Sequence, residues 1–207
     1  MHHIVSIDFD IIMAPSIQLY NNMVGPDKWE QEFMDIPQLA LSQADLQHYQ
    51  ILIQWLLTVV PQMKPGDIHF ILDHEKILNF LPEDNDIIIT NIDHHHDIAY
   101  EPPHFYDKVT DSNLTCGNWV KYIADNKNLV RYHWVNNANS TFVPDECSGL
   151  LTSATDFRDF NFNALAVPQT LVICLSPLWV PPTYRPLFYG LMDICNFIHK
   201  RHYNVEA

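Results

Sequence analysis

Short apolar runs alternate along this chain with longer stretches in which apolar residues recur at helical spacing. The runs at 4–9, 68–72, 86–92, 129–135 and 170–175 are rich in Val and Ile and lack the strict alternation of a half-exposed strand. That pattern predicts strands covered on both faces. Between them, residues 43–60 carry Leu46, Tyr49, Ile53, Leu56 and Leu57 close to helical spacing, and Pro61 closes the stretch. Residues 75–81 read as a short helix stopped before Pro82, and 118–124 as another. Residues 186–202 place Leu187, Leu191, Ile194 and Ile198 on one side, with basic residues in the last turns where the helix dipole favours them. The segments 98–114 and 136–169 read as loop-rich.

Strand, helix, strand, helix is the signature of an α/β fold: a three-layer α/β/α domain over residues 1–207 with a mostly parallel central sheet. In such sheets the loops beyond the strand C-termini build the site. Composition narrows the function classes. With 11 basic and 25 acidic residues the formal charge is −14, which argues against nucleic acid, a ligand that needs a positive footprint, and favours cationic ligands. No apolar run approaches the roughly 18 residues of a transmembrane helix, so no membrane contact is expected. The start of the sequence, with Met1-His2-His3 leading straight into an apolar run, carries no expectation of a signal peptide. The 4 cysteines form no C-x-x-C pair, so neither a disulfide framework nor a zinc cluster is expected, and the compartment suggested is a reducing cytoplasm.

The candidate chemistry is concentrated in Asp93-His94-His95-His96-Asp97, directly after the apolar run ending at Ile92. In extended backbone Asp93, His95 and Asp97 share one side, and His94 and His96 face the other. Two further predicted strands end similarly, in Ser6-Ile7-Asp8-Phe9-Asp10 and in Asp73-His74-Glu75. Packing so much charge at strand ends without a counter-ion is costly. Asp8, Asp10, His74, Asp93, His95 and Asp97 are therefore the expected metal ligands. They suffice for two divalent ions bridged by hydroxide, an arrangement suited to hydrolysis. Carboxylate with imidazole suits Mn, Fe or Zn, and the carboxylate excess leans to Mn.

These residues resemble the arginase and ureohydrolase fold. The D-x-H-x-D stretch at 93–97 looks like its central manganese motif. Asp73-His74 looks like its upstream histidine stretch, and Ser6-x-Asp8-x-Asp10 with Pro15 looks like its S-x-D-x-D motif. In ordinary arginases that last motif comes late in the chain. Here it comes first, and the late stretch at 174–179 has no carboxylate, so the resemblance implies a rearranged strand order. The D-H-E-x-x-L string from Asp73 to Leu78, Asn118-Trp119 and Trp134-Val135 are closer to the arginase-like group that includes the peptide arginases. The resemblance spans residues 4–15 and 68–136.

It implies hydrolysis of arginine guanidinium groups to ornithine and urea in a ribosomally made, arginine-containing precursor peptide, with two Mn2+ ions as cofactor. Asp97 would also pass a proton from the nucleophile to the leaving amine. Glu146 is the candidate to hold the guanidinium, a solvent-facing loop carboxylate being the alternative reading. Asn118 would orient substrate or a metal ligand, and His96 or His104 would shuttle protons. Arg131, Arg158 and Arg185 are scattered, so no basic cluster for a free amino acid's α-carboxylate is evident. Room is left for a homo-oligomer.

Three other readings compete. Asp93-His94-His95 is literally the motif of the DHH-type manganese phosphoesterases, although 5 glycines and no G-G-G-H stretch leave their phosphate site without a counterpart. A non-catalytic peptide-binding protein of the arginase-like fold would hold one ion or none and release no urea. A deacetylase of the same broad fold would use one zinc, a histidine pair and a tyrosine.

Overall fold

The computed structural model describes residues 1–13, 42–83, 86–100, 105–137, 140, 143–177, 179–201 and 203–206. Pro15 and His104 lie outside the described residues, as do parts of the segments read as loops. The strands are β1 (His2–Asp8), β2 (Ile68–Ile71), β3 (Ile87–Ile92), β4 (Leu129–Asn136), β5 (Ser153–Asp156), β6 (Thr170–Cys174) and β7 (Val205–Glu206). Among the described residues the α-helices are α1 (Gln43–Val59), α2 (Trp119–Asn126) and α3 (Arg185–His199).

The strands form one sheet of 7, ordered β5-β4-β3-β1-β6-β2-β7. Every pairing is parallel, so the expected mostly parallel sheet is wholly parallel. Alternate residues on each strand enter opposite cores. Val5, Ile7, Phe70, Leu171 and Ile173 pack with Leu52 and Leu56 of α1 and Phe188 and Leu191 of α3. Ile4, Ile71, Ile89, Val172 and Cys174 pack with Trp119, Val120 and Ile123 of α2. Two covered faces give three layers and explain why the inner strands are continuously apolar. Each fully buried large side chain contributes roughly 1.5–3 kcal/mol.

The elements expected from the pattern are found with shifted ends. The stretch expected as a short helix at 75–81 winds as a 3-10 helix, His74–Phe80. It is too short to offset the cost of nucleating an α-helix. The last helix stops at His199 because Lys200 takes a left-handed backbone, φ 51°. α1 opens on a capping box between Ser42 and Asp45, and the buried Asp45 carboxylate accepts the Tyr184 hydroxyl at 2.7 Å, tying α1 to α3. Strands β5 and β7 interrupt regions without an apolar pattern. Both lie at sheet edges, where one ladder of hydrogen bonds holds a short polar strand. Among the described residues no helix is long and apolar enough to cross a membrane.

The strand order brings the first strand into the middle of the sheet, between β3 and β6. Since all strands run the same way, Asp8 at the end of β1, Asp93 after β3, Ser176 after β6 and His74 after β2 arrive at one edge.

Candidate metal centre

Four aspartates and two histidines converge at that edge. His74 Nδ1 lies 2.9 Å from Asp97 Oδ2 and 3.3 Å from both Asp8 Oδ2 and Asp93 Oδ2. His95 Nδ1 lies 3.0 Å from Asp10 Oδ2 and 3.7 Å from Asp93 Oδ1. Asp93 thus turns one oxygen to each imidazole. Two groups result, Asp8-His74-Asp93 and Asp10-Asp93-His95, each with its ligand atoms within 4.8 Å of one another. Asp93 belongs to both.

Extended backbone does not produce this arrangement. β3 ends at Ile92, and Asp97 sits in the left-handed region with φ 51°. A non-glycine residue there costs about 1–2 kcal/mol, so the surrounding structure must hold it. The Tyr100 hydroxyl accepts the His96 N–H at 2.7 Å. The Tyr132 hydroxyl donates to the His96 carbonyl at 2.7 Å. The Asp97 carbonyl accepts the Val120 N–H at 3.0 Å. Trp119 Nε1 donates to Asp97 Oδ2 at 2.6 Å, and Trp134 Nε1 to the Asp93 carbonyl at 2.9 Å. Behind the ligands, Asn91 Nδ2 donates to Asp93 Oδ2 at 3.1 Å, and the Ser176 hydroxyl donates to Asp8 Oδ2 at 2.5 Å. Ser6 Oγ lies 2.6 Å from His74 Nε2. Outer partners of this kind fix ligand orientation in metal sites.

The electrostatics follow from burial. All four aspartates are at most 3 % exposed. Burial works against the charged forms of His74 and His95, yet their carboxylate partners outweigh it and hold both pKa values well above the ordinary histidine range. Burial raises Asp93, but hydrogen bonds and charge from the two histidines keep it well below the usual carboxylate range. Burial, with the charge of Asp93, pushes Asp97 well up. Burial and then the charges of Asp8 and Asp93 raise Asp10 to about 6. Four carboxylates against two imidazoles leave an acidic excess in a buried place. A divalent cation relieves such an excess directly, and the oxygen and imidazole donors suit manganese, iron or zinc. The residues fit two ions.

A cavity of about 400 Å³ opens on this centre. Asp8, His74, His95 and Asp97 line it together with His94, Tyr100, Trp179, Ser176 and residues 115–117. No Lys or Arg among the described residues lines it. The rings of Tyr100 and Trp179 pack near His95, with centroids 6.0 and 4.9 Å away. Gly117 is bare where Tyr100 passes: a Cβ there would stand 2.9 Å from Tyr100 Cδ2.

The structure brings the six expected ligand residues together, but Asp97, though beside His74, belongs to neither ligand group, and His96, Glu146 and Asn118 are not among the described residues that line the cavity. His96 does not line the cavity. Its ring stacks on Tyr100 at 4.1 Å, its Nδ1 accepts the Ile98 N–H, and burial with the charge of His95 lowers its pKa to about 4. His94 lines the cavity instead, with Nδ1 3.1 Å from Asn137 Oδ1 and a pKa lowered chiefly by burial. Glu146 is exposed in the 3-10 helix Asp145–Leu150 and accepts the Tyr106 hydroxyl at 3.2 Å, outside the cavity lining. Asn118 accepts the Thr115 N–H and donates to the Asn113 carbonyl. It therefore shapes the loop that walls the cavity rather than facing a ligand. Ser6, Ser176 and Tyr100 are the contributors that sequence reasoning passed over. Ser6 stood inside a quoted motif, whereas Ser176 carried no signal, since its neighbour across the sheet is 168 residues away.

Fold and site together define a three-layer α/β protein with an acidic and imidazole ligand cluster at the C-terminal edge of a parallel sheet. No family model, curated protein or solved structure matches the chain.

Proposed function

We propose that this protein is a two-metal amidinohydrolase that converts arginine side chains within a peptide to ornithine and releases urea, a peptide arginase of ribosomal peptide maturation. The observation that carries the reading is the pair of ligand groups sharing Asp93 beside an aromatic-walled cavity with no Lys or Arg among its described lining residues. The motif resemblance at 6–10, 73–78 and 93–97 supports it. Asp8, His74 and Asp93 would hold one manganese ion, and Asp10, Asp93 and His95 the other. Bound there, the metal supplies Lewis acidity and brings the pKa of water toward about 7.

The chain's own groups do the rest. Tyr100 and Trp179 offer faces on which a guanidinium can rest. Asp97, with its pKa raised, can hold a proton at the carboxylate oxygen not bonded to Trp119. His94 has Nδ1 committed to Asn137, which leaves Nε2 to relay a proton to the leaving amine. The absence of Lys and Arg from the described lining disfavours a free amino acid, whose α-carboxylate would need a cation. It equally disfavours a phosphodiester, the substrate of the DHH-type reading.

The test is incubation of manganese-loaded protein with arginine-containing peptides, reading intact peptide mass and urea. Conversion of arginine to ornithine with matching urea is expected. Unchanged peptides and no urea would sink the proposal. Phosphodiester cleavage would then favour the phosphoesterase, and tight peptide binding without turnover the non-catalytic reading.

A further inference from the structure

Of the three histidines among the described lining residues of the cavity, His74 and His95 turn Nδ1 to carboxylates, whereas His94 is held by a neutral amide. We infer that Asn137 is a positioning residue that fixes the proton of the His94 ring on Nδ1, so that a bare Nε2 faces the cavity and accepts a guanidinium N–H of the substrate. The assignment rests on the reading of the site as an arginine-side-chain hydrolase.

The sheet brings the pair together. β3 and β4 are neighbours that register Ile92 with Val135, so His94 and Asn137, each two residues further on, leave the same edge side by side. Both are buried. The His94 N–H donates to Asp10 Oδ1 at 3.3 Å, and its ring meets that of His95 edge to face with centroids 4.8 Å apart. The ring is thereby held beside the ligand groups. Its Nδ1 lies 3.1 Å from Asn137 Oδ1 and 3.3 Å from Ser140 Oγ. A carboxamide oxygen only accepts, so the proton between His94 and Asn137 belongs to Nδ1. Ser140 does not compete for that place. Its Oγ accepts the Asn137 N–H at 3.1 Å, and its hydroxyl donates to Asn137 Oδ1 at 3.5 Å. The Ser140 N–H closes the turn on the Asn137 carbonyl at 3.0 Å.

A neutral imidazole that carries its proton on one nitrogen is an acceptor at the other. Nε2 has no hydrogen-bond partner among the described residues, and it is not closed off as His96 Nε2 is. On a ring that lines the cavity it is the nitrogen left for a ligand. A guanidinium carries donors only. Resting on the aromatic faces, it needs acceptors at its edge, and Nε2 is one that no carboxylate or serine has taken up. The opposite tautomer would turn an N–H on the cation and repel it.

The experiment has two parts. Long-range proton–nitrogen NMR of the metal-free protein reads the His94 tautomer, with His94→Phe identifying its signals. Calorimetry on manganese-loaded wild type, Asn137→Leu and His94→Phe reads binding of an arginine peptide and its citrulline counterpart. The wild type should carry the His94 proton on Nδ1. In Asn137→Leu the acceptor is gone and the Ser140 hydroxyl is free to donate to Nδ1, so the proton should move to Nε2. Manganese content should stay unchanged while arginine-peptide binding weakens about tenfold. The citrulline peptide, whose ureido oxygen accepts an Nε2 proton, should gain on it. His94→Phe should weaken arginine binding to the same extent. An Nε2 proton in the wild type would overturn the inference, and that reading needs no variant at Asn137 to fold. So would arginine binding equal to wild type in Asn137→Leu, or loss of manganese from it. A tautomer and a binding affinity that follow Asn137 without any urea would sink the hydrolase reading alone. Urea release with binding untouched in Asn137→Leu would sink this inference alone.

Discussion

Ser6 and His74 meet at the C-terminal edge of the sheet, with Ser6 Oγ 2.6 Å from His74 Nε2. That contact engages the imidazole nitrogen facing away from the carboxylates and keeps Nδ1 turned toward Asp8, Asp93 and Asp97. Ser6→Ala should leave the sheet intact, since the methyl of alanine fits the same space. It should weaken manganese binding by about 10–100-fold, the usual cost of losing an orienting partner. Calorimetric titration checks this, and an unaltered affinity would show that the hydroxyl does not set the ring.

Asp93 is shared, so its removal differs in kind from that of its neighbours. Wild-type protein should bind two manganese ions per chain by elemental analysis. Asp93→Asn should hold neither firmly, because both groups lose a charged oxygen. Asp10→Asn should retain the ion of the Asp8-His74-Asp93 group. Equal metal content in Asp93→Asn and Asp10→Asn would contradict the sharing.

Proton release should accompany metal binding. The pairing of His74 and His95 with carboxylates raises their folded pKa values well above 6.5 despite burial. That contribution stabilises the metal-free protein fully below the ordinary histidine range and is lost as pH rises through the raised values. Asp10, at about 6 instead of 3.8 through burial and neighbouring charge, acts in the same direction across the interval between those values. Asp93 acts oppositely, its stabilisation being present above 3.8 and lost as pH falls through its depressed value. From about pH 6 to pH 8 this contribution of His74 and His95 should therefore fade from the metal-free protein, against the opposite trend of the histidines that burial lowers, such as His94 and His96, while manganese, no longer competing with protons at His74 and His95, binds more tightly. The gap in melting temperature between manganese-loaded and chelator-treated protein should widen across that range. A constant gap would show that the histidines are not protonated in the metal-free state.

Gly117→Ala probes the wall. The added methyl would meet Tyr100 Cδ2 at 2.9 Å, so the ring must move, and with it the hydroxyl that accepts the His96 N–H. Weaker substrate binding is expected before any loss of the fold, read as a raised KM with two manganese ions retained. An unchanged KM would mean that Tyr100 yields without disturbing the cavity.

The ligand cluster was legible because acidic residues and histidines follow apolar runs, and a parallel sheet gathers such strand ends at one edge. The turn that aims them was not. Nothing in Asp97 as a letter announces a left-handed backbone, and the chain already bends at residues 93–95, where extended alternation no longer holds; His94 rather than His96 borders the cavity. Ser153-Ala154-Thr155-Asp156 offered no apolar pattern, because an edge strand rests on the ladder of β4 rather than on core burial. The distance between Glu146 and the cavity is a tertiary fact that spacing along the chain cannot supply. Trp119 and Trp134 lay within short pairs of little specificity, yet their indoles secure the two ends of the ligand loop.

The central place of β1 also orders events in time. Its neighbours are β3 and β6, whose residues pair with it across roughly 85 and 165 positions of chain. During synthesis β1 emerges before either flank exists, and closing such long loops is slow. Ser176, the partner of Asp8, is added only after the last of the inner strands. On the proposed two-metal reading, metal capture would accordingly be a late step that seals an assembled sheet, and a chain released before residue 176 would carry every aspartate and histidine of the centre without the Ser176 that holds Asp8 in place.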